Sequence, residues 1–200
     1  MTIRQSPDEE WQQLRHSTEH ALGILLSEIS DHRDPQSLFE AYTYAKEIAA
    51  RALQSRMLAH LPAENHIFRA LHREIQQEML SRYQDVVPEV LLRTPYRGKT
   101  HEGLFSLLQE NLERPVQAAM LRIVTGDNVH TERRARELRE LGFDLHWHEE
   151  EEISIYELRS LELDFDMIPS IVRNNARRTK SYTKDEKKRI LRDAGIPENG

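Results

Sequence analysis

The sequence predicts a mainly α fold: an N-terminal helical bundle, a winged helix-turn-helix domain with a small β-hairpin wing, and a basic C-terminal helical tail. Three observations predict it. Apolar residues recur at three-, four- and seven-residue spacings through the first ninety positions, as buried helix faces require. Near Phe143 the period changes, and FDLHWH and ISIYELRS alternate around EEEE, as a β-hairpin does. From Arg173 to Arg192, nine basic residues face only Asp185 and Glu186.

Residues 1–92 form the bundle. Trp11, Leu14, Ala21, Leu22, Leu25 and Ile29 mark one helix face, and Pro7 before Asp8, Glu9 and Glu10 suits its start. DHRDPQS breaks the pattern, with Asp34 as N-cap and Pro35 in the first turn of the next helix. That helix carries Leu38, Phe39, Tyr42, Ala45, Ile48, Ala49, Ala52, Leu53 and Met57. After Pro62 a third carries Ile67, Phe68, Leu71, Ile75, Met79, Leu80 and Tyr83, ending near Pro88. Three long helices on short connections suggest an antiparallel bundle, with dimerisation as one use for it. With nine basic residues against fourteen acidic, this part is a poor phosphate-binding surface. His16 and His20 are four apart, but Ser17 follows the first and no third ligand sits at a telling position, so no metal site is expected.

Residues 93–160 form the second part. RTPYRGKT is loop text, and Thr100 can cap a helix carrying Leu104, Phe105, Leu107 and Leu108. Pro115 opens a second helix through VQAAMLRIV, TGDN turns, and Asn128 or Thr131 caps a third helix. Gly142 follows Leu141 where a left-handed C-cap residue belongs. Three short helices and then a hairpin, in that order, are the winged helix-turn-helix arrangement. Residues 161–200 supply a linker, LELDFDMIPS, and the basic tail, whose helix starts near Thr183 and stops at Gly195.

The third helix packs four arginines into seven residues. Ala135, Leu138 and Leu141 define its buried stripe, which leaves arginines projecting elsewhere. Arginine reads guanine bidentately and grips phosphate, and the first residues of a recognition helix point into the major groove. The candidate DNA contacts are therefore His130, Thr131, Arg133, Arg134, Arg136 and Arg139. Arg97 and Lys99 in the preceding loop, and Arg177, Arg178, Lys180, Lys187 and Lys188 in the tail, are candidates for phosphate. The opposing reading is a solvated helix. Glu132, Glu137 and Glu140 are interleaved with the arginines, and Glu132 and Glu140 can both pair with Arg136.

The stretch LLQENLERPVQAAMLRIVTGDNVHTERRARELRELGFDLHWHEEEEISIYELRS resembles the winged-helix modules that accompany HNH-type nucleases in bacterial restriction enzymes. The matching residues are Arg133, Arg134, Arg136, Glu137, Leu138, Arg139, Gly142, Phe143, Tyr156 and Leu158. TKDEKKRILRDAG resembles the helix leading into an HNH ββα-metal fold, but IPENG follows where a Cys-x-x-Cys often stands. The resemblance runs from about Thr100 onward. It implies the DNA-reading part of such an endonuclease, paired with a separate nuclease domain or subunit, with methylated DNA as one target class.

Composition limits the other classes. A net charge of −6 gives no global attraction to nucleic acid, so any such attraction is local. The absence of cysteine excludes disulfides, thiol catalysis and cysteine zinc sites. No catalytic constellation, cofactor motif or membrane-length apolar run is present, so the expected setting is the cytoplasm and no cofactor is implied. A winged-helix transcriptional regulator and a protein–protein adaptor are the alternatives to the restriction reading.

Overall fold

The computed structural model describes residues 7–31, 34–126 and 130–197. In chain order these form α1 (Pro7–Ser30), α2 (Pro35–Leu58), α3 (His66–Tyr83), α4 (Lys99–Glu110), β1 (Val116–Gln117), α5 (Ala118–Val124), α6 (Thr131–Arg139), β2 (Phe143–Glu150), β3 (Ile153–Leu163), α7 (Ile168–Arg178) and α8 (Lys184–Asp193). The described chain is mainly helical, with one three-stranded antiparallel sheet. It divides into two compact units: residues up to 63 with 119–131, and residues 64–118 with those from 132 onward. These boundaries differ from the sequence-based ones at 92 and 160.

In the first unit α1 and α2 form a hairpin. The Asp34 carboxylate accepts from the Gln36 and Ser37 amides, capping α2 as expected, with Pro35 in its first turn. The seam between the helices is narrow. Leu14 and Ala21 of α1, with Ala41, Ala45, Ala52 and Ser55 of α2, are buried. Several residues expected in a buried face are instead exposed: Leu22 and Ile29 on α1, and Leu38, Phe39, Tyr42 and Leu53 on α2. Two helices meet along a single line, and each apolar face here is wider than that line. Also in this unit, Gln54 of α2 donates to the carbonyl of Val124 at the end of α5 (2.9 Å).

In the second unit α3 joins α4 and α7, which is why the division falls before α3. Asn65 caps α3 by accepting from the Phe68 amide and donates to Ser106 and Gln109 of α4. Phe68, Phe105 and Phe143 cluster with ring centroids 5.2–6.2 Å apart. Leu71, Ile75, Met79, Leu104, Leu108, Ile171 and Val172 are buried too. Helix α4 starts at Lys99 behind Gly98, two residues earlier than a Thr100 cap requires.

Two residues that read as helix, Val116 and Gln117, form β1 and pair with Tyr156 and Ile155 of β3, giving the order β1-β3-β2. The hairpin is present as expected, but its turn is only Glu151–Glu152, both at positive φ (48° and 66°). Strand β3 continues to Leu163, which pairs with Phe143 past an irregularity, so part of the expected linker is strand. Gly142 has φ +92°, and a Cβ there would stand 2.5 Å from the Asp164 carbonyl oxygen. Only glycine fits this joint between α6 and β2. Helix α8 has the expected bounds, with a Thr183–Glu186 capping box and Gly195 at φ +68° behind it.

Candidate nucleic-acid interface

Helix α6 buries Ala135, Leu138 and, just beyond it, Leu141, as its period predicts. A fourth inward residue was not predicted. Glu137 has a side chain only 3% exposed, and three groups converge on it. Arg133 Nε donates to Oε1 at 3.1 Å, while Arg134 Nη1 and His101 Nε2 each lie 2.8 Å from Oε2. Burial pushes the Glu137 carboxyl up, but the hydrogen bonds from Arg134 and His101 and the Arg134 charge outweigh it. The net value is below the ordinary one, so Glu137 is ionised. Burial holds the His101 pKa down despite Glu137, and the neutral ring donates an Nε2–H hydrogen bond to the carboxylate.

A second glutamate organises the neighbouring residues. Tyr96, itself at φ +61°, donates its hydroxyl to Glu140 Oε2 at 2.8 Å. Arg178 of α7 lies 3.6 Å from the same oxygen, with its guanidinium carbon 4.8 Å from the Tyr96 ring centre. Burial, then the Glu140 contact, pushes the Tyr96 phenol up to about 12.

The predicted contacts therefore separate. Arg136 and Arg139 are exposed on α6, and His130 is exposed just before it. Arg133 and Arg134 are held by Glu137, and Arg133 still shows 57% of its side chain. Thr131 is 1% exposed and shares a 2.7 Å hydroxyl contact with Thr125, so it faces inward and leaves the set. The expected Glu140–Arg136 pair gives way to Glu140 with Tyr96 and Arg178. Asn128, the other expected cap of this helix, lies outside the described residues.

Arg97 donates to Gln76 at 3.0 Å, and Lys99 lies 3.1 Å from Glu102. In the tail Arg177, Arg178, Lys180 and Lys188 are exposed. Lys187 is turned back to the carbonyls of Arg177 and Thr179, closing the end of α7. Arg173, counted in the basic run, is buried and donates to Ser170 and the Pro197 carbonyl, so it is structural.

Tyr96, His101, Glu137 and Glu140 were missed as a group. His101 alone carried a signal, three and four residues before Leu104 and Phe105 on the apolar face of α4. Among the described residues, no group of three or more acidic or histidine side chains could hold a metal ion, and no helix is long and apolar enough to cross a membrane. No protein family, curated protein or solved structure matches this chain.

Proposed function

We propose that the chain reads double-stranded DNA sequence-specifically, as the recognition part of a restriction-type endonuclease whose cutting residues lie in another domain or subunit. In this reading α6 is the recognition helix of a winged helix-turn-helix, and the β2–β3 hairpin is its wing. One observation carries it: α6 buries Ala135 and Leu138 and turns Arg136 and Arg139 outward, directly before an antiparallel hairpin. The strand β1 between α4 and α5, paired onto β3, supports the same arrangement.

Arg136 and Arg139 take the base-reading role, since their guanidinium groups face outward. Arg133, Arg134 and Arg178, braced by Glu137 and Glu140, are preorganised for phosphate, and phosphate contacts set the register on the duplex. His130, Arg97, Lys99, Arg177, Lys180 and Lys188 extend that set. The glutamates of the hairpin turn point the wing tip away from the backbone. A homodimer formed through α1 and α2 would match a palindromic target. The adaptor reading draws on the same ion pairs, because a helix that neutralises its own charge needs no DNA.

The test is a binding selection from a randomised duplex library at about 150 mM salt, in methylated and unmethylated forms. An enriched short motif is expected, and a requirement for methylation would favour the restriction reading over a regulator. Recovery of no motif from either library would reject sequence reading and leave the adaptor.

A further inference from the structure

The second unit holds a cavity of about 350 Å³ between α3 and the start of α4, within the size range of ligand sites. Phe68, Arg69, His72 and Arg73 of α3 line one side, and Arg97 and Lys99 the other. His72 is 3% exposed, and neither of its ring nitrogens has a hydrogen-bond partner among the described residues. Buried polar atoms are nearly always bonded in folded proteins, so two on one ring at a cavity wall point to a ligand. Burial first, then the Arg97 charge, pushes this imidazole down to about 4, so it is neutral and offers one donor and one acceptor. Its ring lies 4.3 Å from that of Phe68, which makes one wall aromatic.

The mouth is cationic. Arg69, Arg73, Arg97 and Lys99 face two carboxylates: Glu102, engaged by the Asn65 amide, Arg69 and Lys99, and Glu64, engaged by Arg69 at 2.7 Å. Arg73 and Arg97 are exposed, and Gln76 holds Arg97 in place. The surplus of two positive charges suits a phosphate better than a single carboxylate, because arginine binds phosphate oxygens in pairs. The inner wall suits a flat ring whose edge carries both donors and acceptors.

We propose that this cavity binds a nucleotide, with the base against Phe68 and His72 and the phosphate on Arg73, Arg97 and Lys99. The nucleotide is either free or swung out of a DNA strand, as enzymes that inspect single bases do. Only the strand source rests on the DNA-binding reading above.

The experiment titrates the full chain with the four deoxynucleoside 5′-monophosphates, the matching nucleosides and inorganic phosphate, following the His72 ring nitrogens by NMR. At least one monophosphate should bind and shift the His72 signals, with the nucleoside and phosphate at least tenfold weaker. Arg73→Ala, at an exposed position, should weaken binding at least tenfold with an unchanged melting temperature, and His72→Leu should remove preference among bases. A second arm uses duplexes carrying 2-aminopurine. A fluorescence rise on binding, lost in Arg73→Ala, assigns the strand as source; monophosphate binding without that rise assigns the free nucleotide. A duplex that binds while neither a monophosphate nor 2-aminopurine responds overturns the pocket and spares the DNA reading. Monophosphate binding with no duplex binding does the reverse. Binding that leaves the His72 signals unmoved, or no binding in any arm, overturns the pocket.

Discussion

Glu137 shows how one residue changes the reading of a helix. In sequence it sits among arginines and reads as surface; in the fold it is buried and collects Arg133, Arg134 and His101. A hydrogen bond to a charged group contributes about 1.5–3 kcal/mol, so Glu137→Gln should cost about 1–3 kcal/mol in urea unfolding. The same change adds one net positive charge beside the proposed interface. Affinity for any duplex should rise while discrimination between sequences falls, and a loss of affinity for all duplexes would give Glu137 a purely structural role. His72 sets a pH dependence. Its folded pKa, about 4, lies below the unfolded value near 6.5. Its contribution is therefore complete above pH 6.5 and is lost as pH falls toward 4, about 3 kcal/mol in all. His101 is shifted the same way and adds to the fall. Glu137, shifted below its ordinary value, adds a loss at lower pH, below about 4.5. His72→Leu should flatten the stability curve between pH 6.5 and 4, and an unchanged slope would place the titrating group elsewhere.

Among the elements, the hairpin was legible and its turn was not. The alternation of FDLHWH and ISIYELRS gave β2 and β3, whereas EEEE carries none of the Asn-Gly or Asp-Gly text that marks a two-residue turn. The fold nonetheless closes the hairpin over Glu151 and Glu152 alone, both left-handed. Left-handed φ at a residue with a Cβ costs on the order of 1 kcal/mol. Replacing the pair with Asn-Gly should stabilise the chain by about 1–2 kcal/mol and raise Tm by several degrees. No gain would mean that the glutamates make compensating interactions. Strand β1 was illegible for a different reason: two residues have no period, and Val116–Gln117 becomes strand only because β3 offers an edge. Helix α8 was legible because its cap and closing glycine agreed, and α6 because its buried stripe did.

At the scale of the whole molecule, the sequence told which segments are helical but not which helices share a core. Amphipathic period is the same whether the neighbour is the next helix or a distant one, so α3 was grouped with α1 and α2 although its core partners are α4 and α7. With α3 in the other unit, Leu22, Leu26 and Ile29 of α1 and Leu38, Phe39 and Tyr42 of α2 stay between 37% and 65% exposed. All six lie in the halves of the two helices nearest their connection, where Glu28 and Glu40, with Asp31 and Asp34 in the connection itself, outnumber Arg33 and Lys46. That acidic setting disfavours anionic lipid. A second copy fits: at roughly 100 Å² per half-exposed large side chain, two such patches bury about 1,200 Å², the lower bound of a stable specific interface. Four helices around one apolar core would result, and the two-fold axis would suit a palindromic DNA site. The full chain should therefore sediment as a dimer at micromolar concentration. Leu26→Glu with Phe39→Glu, both at exposed positions, should give a monomer with unchanged helix content that binds a single half-site as before but loses its advantage on a paired one. A wild-type chain that sediments as a monomer at tens of micromolar, or a double variant that stays dimeric, would remove this face as the contact between copies.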